Sequence, residues 1–453
     1  MQQCVEYNTE SLDMDALSID SPLSTSSMTL EVKLSSSSGS EAITWPSSRL
    51  GSYSSKPHAP SKDACWDAVR QFQAEVGDLS INDLRFIKRV GSGDIGSVYL
   101  VEIKGSEGCV FAAKVMDKEE LASRCKESRA NIEREILEML DHPFLPALYA
   151  TLDSDRWSCL LTEFCPGGDL HILRQRQPDR RFNEAAVRFY ASEVVVAFEY
   201  LHMMGIIYRD LKPENVLIRS DGHIMLTDFD LCLKCDNSTP IALVKDQGIQ
   251  TRNSLAVCSV KQTPFSRILP NCKVPNIYCL RPGYMRRKRR LRPGHRGLMD
   301  IVAEPIDTRS MSFVGTHEYL SPEIVSGEGH GNAVDWWTLG IFIYEMFYGV
   351  TPFRGVDNEF TLANIVARAV EFPKEPAMPS SMKDLINQLL NKDPMERMGS
   401  TTGATAIKHH PFFDGVNWAL LRCTTPPSIP KTAMHQDMEA AKGDSLKNNV
   451  EYY

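Results

Sequence analysis

The run Tyr208-Arg209-Asp210-Leu211-Lys212-Pro213-Glu214-Asn215 decides how this 453-residue chain is read. It places a carboxylate, an amine and a carboxamide within six positions of one loop. Moving a phosphoryl group needs those three chemistries close together. A base orients the attacking hydroxyl (Asp210), a cation holds the transferring phosphate (Lys212), and an amide ligates a metal (Asn215).

The flanking motifs fit the same chemistry. Gly91-Ser92-Gly93-Asp94-Ile95-Gly96-Ser97-Val98 follows one apolar strand and opens another, Tyr99-Leu100-Val101. A dinucleotide-binding turn of this spacing opens a helix instead, so the run reads as a flexible cover over phosphates. Some twenty residues on, Ala112-Ala113-Lys114-Val115 puts a lysine inside a short apolar strand. Asp228-Phe229-Asp230 follows that run in sequence. Two strands around a glycine turn, a third strand and a helix over 129–140 are predicted from residue 84 onward. Further helices are predicted over 183–203 and 333–348.

In this order and spacing the motifs resemble those of eukaryotic protein kinases. The resemblance implies an α+β, bilobal fold with a small β-rich N-lobe and a larger helical C-lobe. It implies ATP and Mg2+ as cofactors, with Asp228 and Asn215 as metal ligands. Asp210, Lys212, Asn215 and Thr316 match catalytic positions. Val90, Gly91, Gly93, Gly96, Val98, Ala112, Lys114, Glu133, Glu163, Cys165, Asp169 and Leu217 match ATP-binding ones. Lys114 would hold the α- and β-phosphates, paired with Glu133 (Glu135 being the alternative). Adenine would meet the Glu163 carbonyl and the Cys165 amide, beside Thr162. Glu323 is expected to pair with Arg397, and Asp335 to brace the catalytic loop.

Asp230, the long interval before Ser321-Pro322-Glu323, and Phe313-Val314-Gly315-Thr316-His317-Glu318-Tyr319 narrow the resemblance to plant AGC VIII serine/threonine kinases, nearest the PINOID/WAG branch. Most kinases carry glycine at the Asp230 position. An aspartate there should stiffen the loop against switching. Ser312, four residues before Thr316, matches the activating phosphosite, with Arg209 as phosphate partner and Ser310 as the next candidate. Asp169, Glu214 and Glu345 match positions that would recognise basic residues upstream of the acceptor. Protein substrates are implied, among them PIN-type auxin efflux carriers, together with a phosphoinositide-dependent upstream kinase. No nucleic-acid partner is implied. A scaffold pseudokinase is the competing reading, and would lack Lys114, Asp210 or Asp228; all three are present.

Outside residues 84–413, read as the kinase domain, composition changes. Residues 1–83 are serine-rich and short of apolar periodicity, which predicts a disordered arm. Residues 414–453 match an AGC-type tail, with Val450-Glu451-Tyr452-Tyr453 as an altered hydrophobic motif. About 90 residues separate Asp230 from Ser321, and the surplus, about 237–303, has little periodicity. It carries Arg286-Arg287-Lys288-Arg289-Arg290, with no acidic residue from Arg281 to Met299. Such a run suits anionic phospholipids, with nuclear import as the alternative. No stretch approaches the ~20 apolar residues of a membrane span. The twelve cysteines are scattered and read as reduced thiols. The expectation is a cytoplasmic protein, peripherally associated with the plasma membrane, with the nucleus possible.

Overall fold

A computed structural model describes residues 63–106, 108–235 and 310–430, with the backbone of 242–245 and 300–303. Its first part is a five-stranded antiparallel sheet: β1 (Leu84–Ser92), β2 (Ser97–Ile103), β3 (Val110–Asp117), β4 (Leu148–Asp153) and β5 (Trp157–Glu163). The strand order is β1-β2-β3-β5-β4. Side chains alternate across a strand, so one β3 face sends Phe111, Ala113 and Val115 into a buried cluster with Trp66, Tyr99 and Tyr149. The other face is left to Ala112 and Lys114. In register, Lys114 lies opposite Val98 on one side and Leu160 on the other. Alternation thus brings the lysine under the glycine turn between β1 and β2.

Helix α1 (Ala64–Glu75) precedes the sheet, and α2 (Lys118–Ser123) and α3 (Glu127–Met139) follow β3. The expectation of a disordered arm reaching residue 83 is corrected for its last part. Asp63 caps α1 by accepting from the Cys65 amide, and its other oxygen accepts from the Tyr149 hydroxyl at 2.8 Å. Trp66, Ala68 and Val69 are buried against the sheet, which gives a helix of only twelve residues a reason to fold. Residues 1–62 lie outside those described.

The second part is helical. It contains α4 (Leu170–Gln175), α5 (Glu184–Met203), α6 (Pro322–Ser326), α7 (Ala333–Tyr348), α8 (Asn358–Ala367), α9 (Ser380–Leu389) and α10 (Gly403–Lys408). Asn183 caps α5 through its carboxamide, accepting from the Ala186 amide. Helix α7 is buried from Ala333 through Phe347. A helix apolar on every side belongs in an interior. It ends where Gly349 takes a left-handed φ of 81°. Short, largely buried strands flank the chemistry in this part: β6 (Ile206–Ile207) pairs with β9 (Leu233–Lys234), and β7 (Val216–Ile218) with β8 (Ile224–Leu226). This is the bilobal kinase arrangement, a β-rich small lobe and a helical large lobe.

The insertion carries regular backbone structure at both of its ends. Strands β10 (Ala242–Lys245) and β11 (Asp300–Ala303) form a two-stranded sheet of their own. The basic run 286–290 between them lies outside the described residues.

Near its end, the tail phrase from Arg422 onward packs back on the large lobe. Arg422 ion-pairs with Asp221 at 2.5 Å. A Cβ on Gly222 would run into the Ser428 carbonyl and the Pro426 ring, so only glycine admits the tail there. Val450–Tyr453 lies outside the described residues.

Candidate active site

The catalytic run leaves β6 as a strained loop held from below. Arg209 adopts a positive φ of 66°, uncommon for any residue but glycine. Buried Asp335 of α7 braces it: its two oxygens accept from the Tyr208 amide (2.8 Å) and the Arg209 amide (2.7 Å), and the Oδ2 also meets His202 Nε2. Two backbone N–H groups on one buried carboxylate hold the strain in place.

That brace aims Asp210 at its partners. The Asp210 carboxylate accepts from Lys212 Nζ at 2.8 Å and from Asn215 Nδ2 at 2.8 Å. The Thr316 hydroxyl lies 3.2 Å from Lys212 Nζ and 3.4 Å from Asp210 Oδ1. All four residues predicted to be catalytic therefore meet. Burial pushes the Asp210 carboxyl up, and so does Asp228, while Lys212 and Asn215 oppose them; the net direction is upward. Burial pulls Lys212 down most strongly of any one cause, but Asp210, Asp228 and Glu214 together outweigh it and raise its pKa. A carboxylate raised in pKa and an amine held cationic suit accepting a hydroxyl proton and steadying a phosphate.

Lys114 bridges the lobes. Its Nζ donates to Glu133 Oε1 at 2.8 Å and to Asp228 Oδ1 at 2.9 Å. Burial works against the charge on Lys114, but Asp228 and Glu133 outweigh it and raise its pKa. For Asp228, burial is outweighed by Lys114, and the carboxyl is held below its ordinary range. Glu135, the alternative partner, faces Lys234 at 3.0 Å instead.

Asp228 and Asn215 fit Mg2+. Asn215 spends its amide nitrogen on the Asp210 carbonyl and carboxylate, which leaves the hard oxygen end for a cation. Asp228 is anionic and the less enclosed partner of Lys114. Among the described residues no group of three His, Cys, Asp or Glu side chains forms a metal cage. Two oxygen ligands suit Mg2+, which keeps waters and takes substrate phosphates for the rest.

The predicted nucleotide residues line up around this centre. Gly93 donates to the Gly96 carbonyl at 2.8 Å and closes the turn. A Cβ on Gly96 would meet the Val115 carbonyl at 2.6 Å, so this glycine is required by packing on β3. At Gly91 and Gly93 a Cβ would meet nothing closer than 3.9 Å, which leaves the cover open on that side. Val90 is exposed on β1, and Val98 pairs with Lys114. On the adjoining strand Thr162 donates to the Ala112 carbonyl. Strand β5 ends at Glu163, whose carboxylate pairs with Arg219 at 2.7 Å, and Cys165 is buried just beyond. Asp169 caps α4 by accepting from the Ile172 amide, and its backbone bridges to Leu217.

Arg209 also reaches forward to the activation segment. Its Nη1 donates to Ser312 Oγ at 3.0 Å and to Ser310 Oγ at 3.2 Å. The two hydroxyls lie 2.8 Å apart. A phosphate on Ser312 would meet this guanidinium without a large rearrangement. Ser312→Ala is therefore expected to lower turnover about tenfold or more, since charge-assisted hydrogen bonds contribute roughly 1.5–3 kcal/mol each. Mass spectrometry of active protein should find phosphate there; full activity without it would transfer the switch to Ser310.

The three acids expected to read basic substrates divide. Glu214 is half-exposed and lies 3.1 Å from His171. Glu345 is buried: its Oε1 accepts from Arg174 at 3.0 Å and its Oε2 from the Tyr319 hydroxyl at 2.5 Å. An acid in the middle of an apolar helix needs such a partner.

One cluster escaped the sequence reading. Arg129 of α3 joins Asp94 of the glycine run to Asp230, at 2.5 Å each. Arg124 and Lys126 also contact Asp94. The available signal was helical spacing: Arg129 lies four residues before Glu133, hence on the same face.

Comparison with known proteins agrees with this geometry. The protein kinase domain family matches residues 84–263 and 297–413. A serine/threonine-protein kinase of Arabidopsis thaliana is 48% identical over 401 residues, covering 87% of this chain and 79% of that protein. Serine/threonine-protein kinase AGC1-5 of the same plant is 52% identical over 391 residues, 86% of this chain and 66% of its own. A protein kinase of Oryza sativa subsp. indica is 50% identical over 387 residues; the aligned region spans 83% of this chain and 65% of the rice protein. The braced Asp210 loop, the Lys114–Glu133 pair and these likenesses together place the chain in the plant AGC family of serine/threonine protein kinases.

Proposed function

We propose that the chain transfers the γ-phosphate of Mg-ATP to serine or threonine in basic segments of proteins. Asp210 acts as the base, Lys212 and Thr316 hold the phosphate and the catalytic loop, Asn215 and Asp228 ligate Mg2+, and Lys114 grips the α- and β-phosphates. The observation that carries this is the meeting of Asp210, Lys212, Asn215 and Thr316 within hydrogen-bond reach, beside an Asp228 held anionic.

Basic-context preference rests on Glu214, the exposed acid next to the catalytic loop. Glu214→Arg is expected to lower kcat/KM about tenfold on peptides with arginine two or three residues upstream, and far less on neutral peptides. A peptide array measures both at once. Equal loss on the two sets would remove Glu214 from recognition.

Resemblance to the PINOID/WAG branch supports the cytosolic loops of PIN-type auxin efflux carriers as substrates, and so a role in auxin transport. It also supports an upstream phosphoinositide-dependent kinase recruited through Val450–Tyr453. The basic run 286–290 supports peripheral attachment to anionic membrane, with each Lys or Arg contributing roughly 1 kcal/mol near such a surface. Changing Arg286, Arg287, Lys288, Arg289 and Arg290 to alanine should abolish sedimentation with phosphoinositide vesicles at low salt. Equal binding by parent and variant would overturn the attachment.

A further inference from the structure

We propose that Arg129 is a positioning residue that ties the glycine-rich cover and the metal-binding run to the same helix, through Asp94 and Asp230. The proposal rests on the nucleotide reading above. Its geometry is that of one fork with two tines: Nη1 of Arg129 donates to Asp94 Oδ2 and Nη2 to Asp230 Oδ2, at 2.5 Å each. A planar guanidinium fixes the directions of both bonds, where the ammonium of a lysine, as at Lys114, bridges two carboxylates as a rotatable point charge.

The two ends of the strap are unlike. Asp230 has only 3% of its side chain exposed. A buried carboxylate persists only with a counter-charge, and Arg129 supplies it. This explains what the aspartate does at a position where glycine would leave one arm of the guanidinium without a partner. It also gives the stiffening expected at Asp230 a cause outside its own backbone dihedrals. Asp94, by contrast, is half-exposed at the tip of the β1–β2 turn, flanked by Gly93 and Ile95. Arg124 Nη2 reaches it at 2.6 Å, and Lys126 also pairs with it. Three cations from α3 and the segment before it converge on one loop carboxylate.

The same helix carries Glu133, one turn further on, and Glu133 holds Lys114. Drawing α3 inward therefore does three things together: it sets Lys114, steadies the run bearing Asp228, and lowers the cover over the phosphates. An exposed ion pair alone would contribute little. The buried Asp230 arm fixes the guanidinium, and the half-exposed Asp94 arm then adds to the Arg124 and Lys126 pairs and to the burial of Ile95 in holding the loop tip.

The test uses the full chain. Backbone hydrogen exchange over 91–96 is measured without nucleotide, and the Kd of a non-hydrolysable ATP analogue with Mg2+ by calorimetry. Asp94→Asn should speed exchange in that segment at least about fivefold and raise the Kd about fivefold, while peptide KM stays within twofold. The double variant Asp94→Asn/Arg129→Ala should lose less than the product of the two single effects, because the two share the Arg129–Asp94 contact, although Asp94 also pairs with Arg124 and Lys126 and Arg129 with Asp230. Arg129→Ala leaves Asp230 buried and unpaired, so Arg129→Ala/Asp230→Gly serves as the soluble counterpart. Asp94→Asn lies on the exposed tip and keeps the fold in either case. Unchanged exchange and affinity in Asp94→Asn, or effects that simply multiply, would overturn the strap. A parent protein that binds no analogue would overturn the nucleotide reading itself, a different result.

Discussion

Asp210→Asn is expected to lower turnover by at least about 10²–10³-fold, with the fold intact. Asparagine keeps the shape of the side chain and one acceptor oxygen for Lys212 and Asn215, but its amide nitrogen donates where Oδ1 accepted and cannot take the hydroxyl proton. Asp210 is buried among Lys212, Asn215 and Thr316, so water cannot easily stand in for it. Asp228→Asn should lose a comparable amount by weakening the metal, and its activity should recover partly at high Mg2+. Steady-state kinetics beside a thermal unfolding scan checks both. Near-normal transfer by Asp228→Asn would remove it from metal binding.

Arg397→Ala is the substitution expected to cost most in stability, about 3–5 kcal/mol. Arg397 and Glu323 form a bidentate pair at 2.7 and 2.9 Å, and both side chains are buried. The guanidinium also donates to the Ala333 and Asn391 carbonyls, which tie the start of α7 to the segment after α9. Removing it leaves a buried carboxylate and two carbonyls without their donor. Urea unfolding measures the loss, and replacing both partners by apolar residues of similar volume should restore part of it. A loss below about 1 kcal/mol would mean that solvent reaches the pair.

Much of the fold and of the catalytic centre was legible because local patterns coincide with chemistry. Lys114 could be placed because strand alternation leaves one residue in two for the cleft, and Asp210 because its neighbours are only two and five residues away. Glu323–Arg397 was legible only through resemblance, since 74 positions separate the two. Three features were not legible. Helix α1 is short and mixes apolar with polar residues, and its buried side, Trp66, Ala68 and Val69, is set by contact with a sheet that follows it in sequence. The burial of Glu345 could not be read because nothing near it in sequence announces Arg174, which is 171 positions away. Asp230 could be seen to differ from glycine, but its partner Arg129 lies 101 positions earlier. In each case the deciding contact is long-range and carries no periodicity.

The central claim is that this centre moves phosphate from Mg-ATP to serine or threonine. The most direct measurement incubates purified full-length protein with γ-labelled ATP, Mg2+ and an array of serine, threonine and tyrosine peptides, beside Asp210→Asn. Label is predicted on serine and threonine peptides with upstream arginine or lysine, dependent on Mg2+ and absent with Asp210→Asn. Equal labelling by parent and Asp210→Asn, or none by either with bound analogue confirmed, would contradict it.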